Sequence, residues 1–188
     1  MFSTDVERAL RAAFDAHDGQ VRKGVDPVPY VVHPVHVALI LARAEADDET
    51  LQAAILHDVV EDCAGWTLER VEREFSSRVR RIVEDLTEDK SKSWDERKSW
   101  AVEHVPRMLP EAAAVKAADK LHNLSCLLAD LAAAERPDEV WSKFKGGRER
   151  TLAMATALID ALEERIDPRL GRALRATLRD LENVAFRR

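Results

Sequence analysis

The sequence predicts an all-α domain, and three observations carry that expectation. Helix breakers are scarce, with six Gly and seven Pro in 188 residues, against abundant Ala, Leu, Glu and Arg. Apolar residues recur at three- and four-residue spacing in successive segments, many of them opened by a side chain that caps helices. No stretch shows sustained period-two alternation of β-branched residues, and no internal repeat is visible. The length predicts a single domain over 1–188, large enough for a real core.

The first helix is expected from about Asp5 to about Ala16: Thr4-x-x-Glu7 reads as a capping box, followed by Val6, Ala9, Leu10, Ala13 and Phe14. The stretch from Asp18 to His33 holds two Gly and two Pro and reads as an irregular loop, long enough to be functional. Pro34 suits the first turn of the next helix, which continues through Val37, Ile40 and Leu41 and puts His33 at its N-terminal edge. Asp47 or Asp48 caps a helix that runs through the apolar stretch Leu51 to Leu56 and on to Asp62, with no breaker before Gly65. Thr67 caps a helix with Leu68, Val71 and Phe75, and Ser76 or Ser77 one with Val79, Ile82, Val83 and Leu86. The polar run from Thr87 to Ser93 is expected as a mobile surface loop. Ser93-x-x-Glu96 is a second capping box, opening a helix that carries Arg97 and Lys98. Pro106 and Pro110 precede a long helix from Glu111 to about Ala134; Arg136-Pro-Asp138 reads as a turn, and Gly146-Gly147 precedes a helix to about Arg165. Asp167-Pro168 opens a last helix, about 168–186, whose stripe of Leu170, Leu174, Leu178, Leu181 and Val184 either closes the core or forms a homodimer contact.

A formal net charge of −6 argues against a general nucleic-acid binder, so an anionic substrate would need its cations concentrated at the site. Apolar stretches fall far short of the ~20 residues of a membrane span. The N-terminus lacks a basic segment followed by an apolar core, so the expectation is a cytoplasmic protein with no membrane partner. Cys63 and Cys126 read as two unpaired thiols.

One stretch stands apart, His57-Asp58-Val59-Val60-Glu61-Asp62. On a helix its four polar side chains fan over about 140°, with His57 above Glu61 and Asp58 above Asp62. Three acids and an imidazole on one stripe repel one another and are costly to bury unless a cation holds them. A hydrolytic metal site would add an imidazole from an earlier element and a carboxylate from a later helix, for which His33 and Asp119 are the candidates. Two neutral imidazoles and two carboxylates leave a divalent ion formally neutral, and such mixed ligands suit Mn, Fe or Zn alike.

Four pieces occur together: His17-x-Gly19-Gln20-x-Arg22-Lys23, Pro29-Tyr30-x-x-His33-Pro34, His57-Asp58-x-x-Glu61-Asp62 and Ala118-Asp119-Lys120-Leu121-x-Asn123-Leu124. With them the chain resembles the HD-domain metallohydrolases, and among them the small alarmone hydrolases akin to the hydrolase domain of RelA/SpoT-type proteins, over about residues 5–165. The resemblance implies a single HD-domain helical bundle with His33, His57, Asp58 and Asp119 as ligands of one divalent ion, usually Mn²⁺. It implies Glu61 and Asp62 as the acidic pair that orients and deprotonates the attacking water. It implies Arg22 and Lys23 as nucleotide contacts and Asn123 as a residue on the ribose-phosphate side. Lys120 joins them as a candidate phosphate contact, with Lys90, Lys92, Arg97 and Lys98. The implied reaction is hydrolysis of the 3′-pyrophosphate of guanosine tetra- or pentaphosphate. An adenosine alarmone, a 5′-mononucleotide, or a non-catalytic nucleotide-binding role remain the alternatives.

Overall fold

The longest helix, α8 (Pro110–Ala133), runs through the middle of the computed structural model, which describes residues 2–22 and 28–186. Pro110 opens it at its first turn, where a missing N–H is tolerated. Its first half is alanine-rich, and Ala112, Ala113, Val115, Ala117 and Ala118 are completely buried. Small side chains there let neighbouring backbones approach from several sides. The helices α2 (Val32–Ala42), α3 (Asp48–Leu56) and α6 (Ser77–Leu86) use that access, with α1 (Thr4–Ala16) packed outside α3. Between α3 and α6 lie the short α4 (Val59–Asp62) and α5 (Leu68–Glu74), the latter packed on α6. Beyond α6, α9 (Pro137–Ser142) and α10 (Gly147–Leu162) pack on α8, and α7 (Trp94–His104) packs on α10.

The last helix, α11 (Pro168–Ala185), packs extensively along α8. Leu174 and Leu181 are fully buried and Leu170 and Leu178 nearly so. Each buried leucine contributes about 1.5–3 kcal/mol, so the apolar stripe closes the core of its own chain. β pairing among the described residues is limited to an isolated antiparallel bridge between Val21 and Pro29. No helix among them is long and apolar enough to cross a membrane.

Four local expectations change. Ser3, not Thr4, caps α1: its extended backbone lets Oγ accept from the Val6 amide, while Thr4 is already helical. The helix expected to run from Asp47/Asp48 to Asp62 is interrupted after Leu56: His57 and Asp58 form a turn, Asp58 with φ −98° and ψ −10°, and helix resumes at Val59. Arg136-Pro-Asp138 is not merely a turn; Pro137 starts α9, with Asp138 and Glu139 in its first turn where the dipole favours acids. The run from Thr87 to Ser93 is a loop, but Glu88 within it has only 9% of its side chain exposed and pairs with Arg97 and Lys98. The remaining caps fall as expected, on Asp47, Thr67, Ser76, Asp167 and the Ser93–Glu96 box.

Candidate metal centre

Three elements converge on one point. His33 lies in the first turn of α2, His57 and Asp58 occupy the break between α3 and α4, and Asp119 projects from α8. His33 Nε2 is 3.2 Å from Asp119 Oδ1 and 3.6 Å from Asp58 Oδ2, and His57 Nε2 is 3.2 Å from Asp58 Oδ2. One ligand atom each from His33, His57 and Asp58 lies within 4.8 Å of the others, the spacing of a metal site; Asp119 joins through His33 and not as a member of that tight trio.

The chemistry of His57 tests whether a cation fits. Its Nδ1 lies 2.7 Å from Ala54 O, and a carbonyl can only accept, so Nδ1 carries the proton. Nε2 is then a bare lone pair, buried, without a hydrogen-bond partner, facing a carboxylate. Two electron-rich atoms in that arrangement call for a cation between them, and the donor set suits a divalent one.

The surroundings fix these side chains. Tyr30 donates to Asp58 Oδ2 at 2.6 Å, and burial, with Asp58 next, pushes its phenol far above the usual range. His17 is buried, bonds Gln20 through Nδ1 at 2.9 Å and stacks on Tyr30, holding the loop and not the centre. Burial works against the Asp119 charge, yet the bond from His33 and the nearby His57 and Lys120 hold its carboxyl well below the usual range. His33 Nδ1 lies 2.9 Å from His122 Nδ1. Burial, with His33, Arg22 and His36 nearby, lowers the His122 imidazole to about 4.

Glu61 faces the same cavity, of about 270 Å³, but lies outside the ligand trio. Burial, then the Glu88 and Asp58 charges, raise its carboxyl to about 7. Asp62 is more exposed and pairs with Lys90 at the rim. Arg22 donates to Asn123 Oδ1 at 2.8 Å and Asn123 donates to Asp119, linking the loop to α8. Lys120 lines the adjoining cavity of about 1020 Å³, and burial lowers its ammonium pKa. Lys23 lies outside the described residues.

Sequence reasoning passed over four residues that line or brace this cavity. Lys116 and His122 stand three residues before and after Asp119, a spacing that puts them on its helical face and could have flagged them. Tyr30 stands in the piece Pro29-Tyr30-x-x-His33-Pro34, which gave it no role of its own. Glu88 carried no signal: its burial depends on Arg97, Lys98 and Lys116, brought from two other helices.

Comparison with known proteins follows the same lines. A sequence model of the HD domain matches residues 9–152. The guanosine-3′,5′-bis(diphosphate) 3′-pyrophosphohydrolase MESH1 of Xenopus tropicalis is 43% identical over 127 residues, 65% of this chain and 70% of that protein. Human MESH1 is 47% identical over 110 residues, 57% of this chain and 61% of that one. A solved structure, described as a metazoan ortholog of SpoT that hydrolyzes ppGpp and plays a role in starvation responses, superposes with a TM-score of 0.81 at 30% identity, covering 95% of this chain and 96% of the other. The structure of lmo0812 from Listeria monocytogenes gives 0.71 at 31% identity over 82% of this chain and 99% of that one. Matched across most of its length, with the helical fold and the His/His/Asp cluster in place, the chain belongs to the HD-domain family.

Proposed function

We propose that the chain is a metal-dependent pyrophosphohydrolase that converts guanosine tetra- or pentaphosphate to GDP or GTP and pyrophosphate. The observation that carries this reading is the buried, unpartnered Nε2 of His57 beside Asp58, opening on a cavity rich in cations. The relatives named for this reaction support the choice of substrate. In this reading His33, His57, Asp58 and Asp119 hold one divalent ion, which we assign as Mn²⁺. When bound, such an ion supplies Lewis-acid polarisation of the phosphoryl group and a lowered pKa for water.

The chain's own residues do the rest. Glu61, raised to about 7, is matched to proton abstraction near neutral pH and serves as the general base for the attacking water. Asp62 orients that water and keeps Lys90 at the rim. Arg22, Lys23, Lys120 and Asn123 contact the nucleotide. Arg97, Lys98 and Lys116, gathered around Glu88, face the phosphates. Among the described lining residues five carboxylates (Asp58, Glu61, Asp62, Glu88, Asp119) meet five cations (Arg22, Lys90, Arg97, Lys98, Lys116). Adding a divalent ion to that balance leaves a positive excess, which favours a polyphosphate and the charge developing on it.

The test is product analysis of guanosine tetraphosphate incubated with the protein, with and without Mn²⁺. Pyrophosphate and GDP are expected, and are lost with chelator and in His57→Ala. Orthophosphate as the product, or no turnover by protein that binds Mn²⁺, rejects the reading.

A further inference from the structure

The two imidazoles of the candidate centre are anchored differently. His57 is held by a backbone carbonyl, which leaves its Nδ1 no choice but to donate. His33 has a second imidazole in that place: its Nδ1 lies 2.9 Å from His122 Nδ1, with the two residues only 2% and 5% exposed. Two ring nitrogens at that distance share one proton, so one donates and the other accepts. A cation at His33 Nε2 needs that atom's lone pair, which puts the proton on His33 Nδ1 and makes His122 Nδ1 the acceptor. The remaining ring proton of His122 then sits on Nε2, while Cys126 Sγ lies beside the ring, 3.8 Å from Nδ1 and 3.7 Å from Nε2. The α8 backbone fixes this geometry, because His122 is one turn after Asp119 and the same helix presents both to His33.

We infer that His122 is a positioning residue for the metal centre: its Nδ1 accepts from His33 Nδ1–H when His33 Nε2 faces the ion, and so orients the His33 ring. The inference rests on the metal reading above. Partners of this kind contribute roughly 10–100-fold to metal affinity.

The experiment is a calorimetric titration of chelator-treated protein with Mn²⁺, alongside thermal melts by circular dichroism. His122→Leu removes the acceptor and keeps an apolar volume; it is expected to bind Mn²⁺ roughly 10–100-fold more weakly than wild type. His122→Asn offers an amide oxygen near the position of Nδ1 and is expected to restore binding to within several-fold. Unchanged affinity in His122→Leu overturns the inference alone, as does an equal loss in a folded His122→Asn. Wild-type protein that binds no divalent ion overturns the metal reading and this inference with it. Nitrogen-15 spectra of Zn²⁺-loaded wild type read the bond without any variant: His122 Nδ1 should be the unprotonated nitrogen of its ring, and a protonated Nδ1 overturns the assignment.

Discussion

Replacing Glu61 by Gln should raise stability and abolish turnover, and the structure sets the size of both effects. The Glu61 carboxyl is raised from 4.5 to about 7, first by burial and then by the Glu88 and Asp58 charges. At about 1.4 kcal/mol per pH unit, that interval corresponds to at most about 3 kcal/mol against the ionised form, with solvent at the cavity mouth reducing it. The sign follows from proton binding: between the two values the folded state holds a proton that the unfolded chain has released, so stability falls as pH rises through the window. The full penalty is present above pH 7 and absent below 4.5. In metal-free protein, Glu61→Gln should therefore melt higher than wild type at pH 8, by up to about 6–12 °C for a chain of this size, with little difference at pH 4.5. Under turnover conditions with Mn²⁺ the same variant should lose roughly 10²–10⁴ in rate, the usual contribution of a general base, while its Mn²⁺ affinity stays near wild type. Melting curves at the two pH values and pyrophosphate release make the comparison. Equal melting temperatures at pH 8, or a rate within tenfold of wild type, would refute the reasoning.

Glu88→Gln removes the acid that Arg97 and Lys98 share at 3.1 and 2.8 Å, leaving those cations crowded together; a loss of about 3–5 kcal/mol is expected by chemical denaturation. Burial opposes the Glu88 charge, but Lys116, Lys98 and Arg97 outweigh it and hold the carboxyl below the usual range. Its contribution is thus present above the ordinary carboxylate pKa and lost as pH falls through the folded value, so the two proteins should converge in acid. Leu181→Ala, at a fully buried site between α11 and α8, should cost about 2–5 kcal/mol; a change under 1 kcal/mol would mean that α11 does not close the core. At Gly146 an added Cβ would come within 2.8 Å of the Trp94 ring, which lines the larger cavity. Gly146→Ala should shift tryptophan emission and raise KM with a smaller effect on kcat, and an unchanged spectrum and KM would count against that wall.

The clustering of acids and cations explains why a chain of net charge −6 can receive a polyanion. Salt bridges elsewhere organise the scaffold: Arg78 reaches Asp47, Glu49 and Glu111 at 2.6–3.0 Å, tying the start of α3 to α6 and α8. At the cavity the same residue types are drawn inward, so that local charge and overall charge part company.

What the sequence determined by itself is whatever local chemistry controls. Caps at Asp47, Thr67, Ser76 and Ser93, the prolines that open α8 and α11, and the apolar periodicity of α6 and α11 each act within a turn or two of chain, and so could be read from neighbours in sequence. That His57, Asp58 and Glu61 line one cavity belongs to the same class, since they lie within five residues of chain, although the break at Asp58 that aims them does not. Tertiary structure alone decided the rest. That α11 covers α8, that Glu88 is buried by three cations from α7 and α8, and that His122 stands behind His33 all depend on contacts between residues far apart in the chain. A hydrophobic stripe or a polar run looks the same in sequence whether or not another helix comes to meet it, because burial is a property of the packed chain.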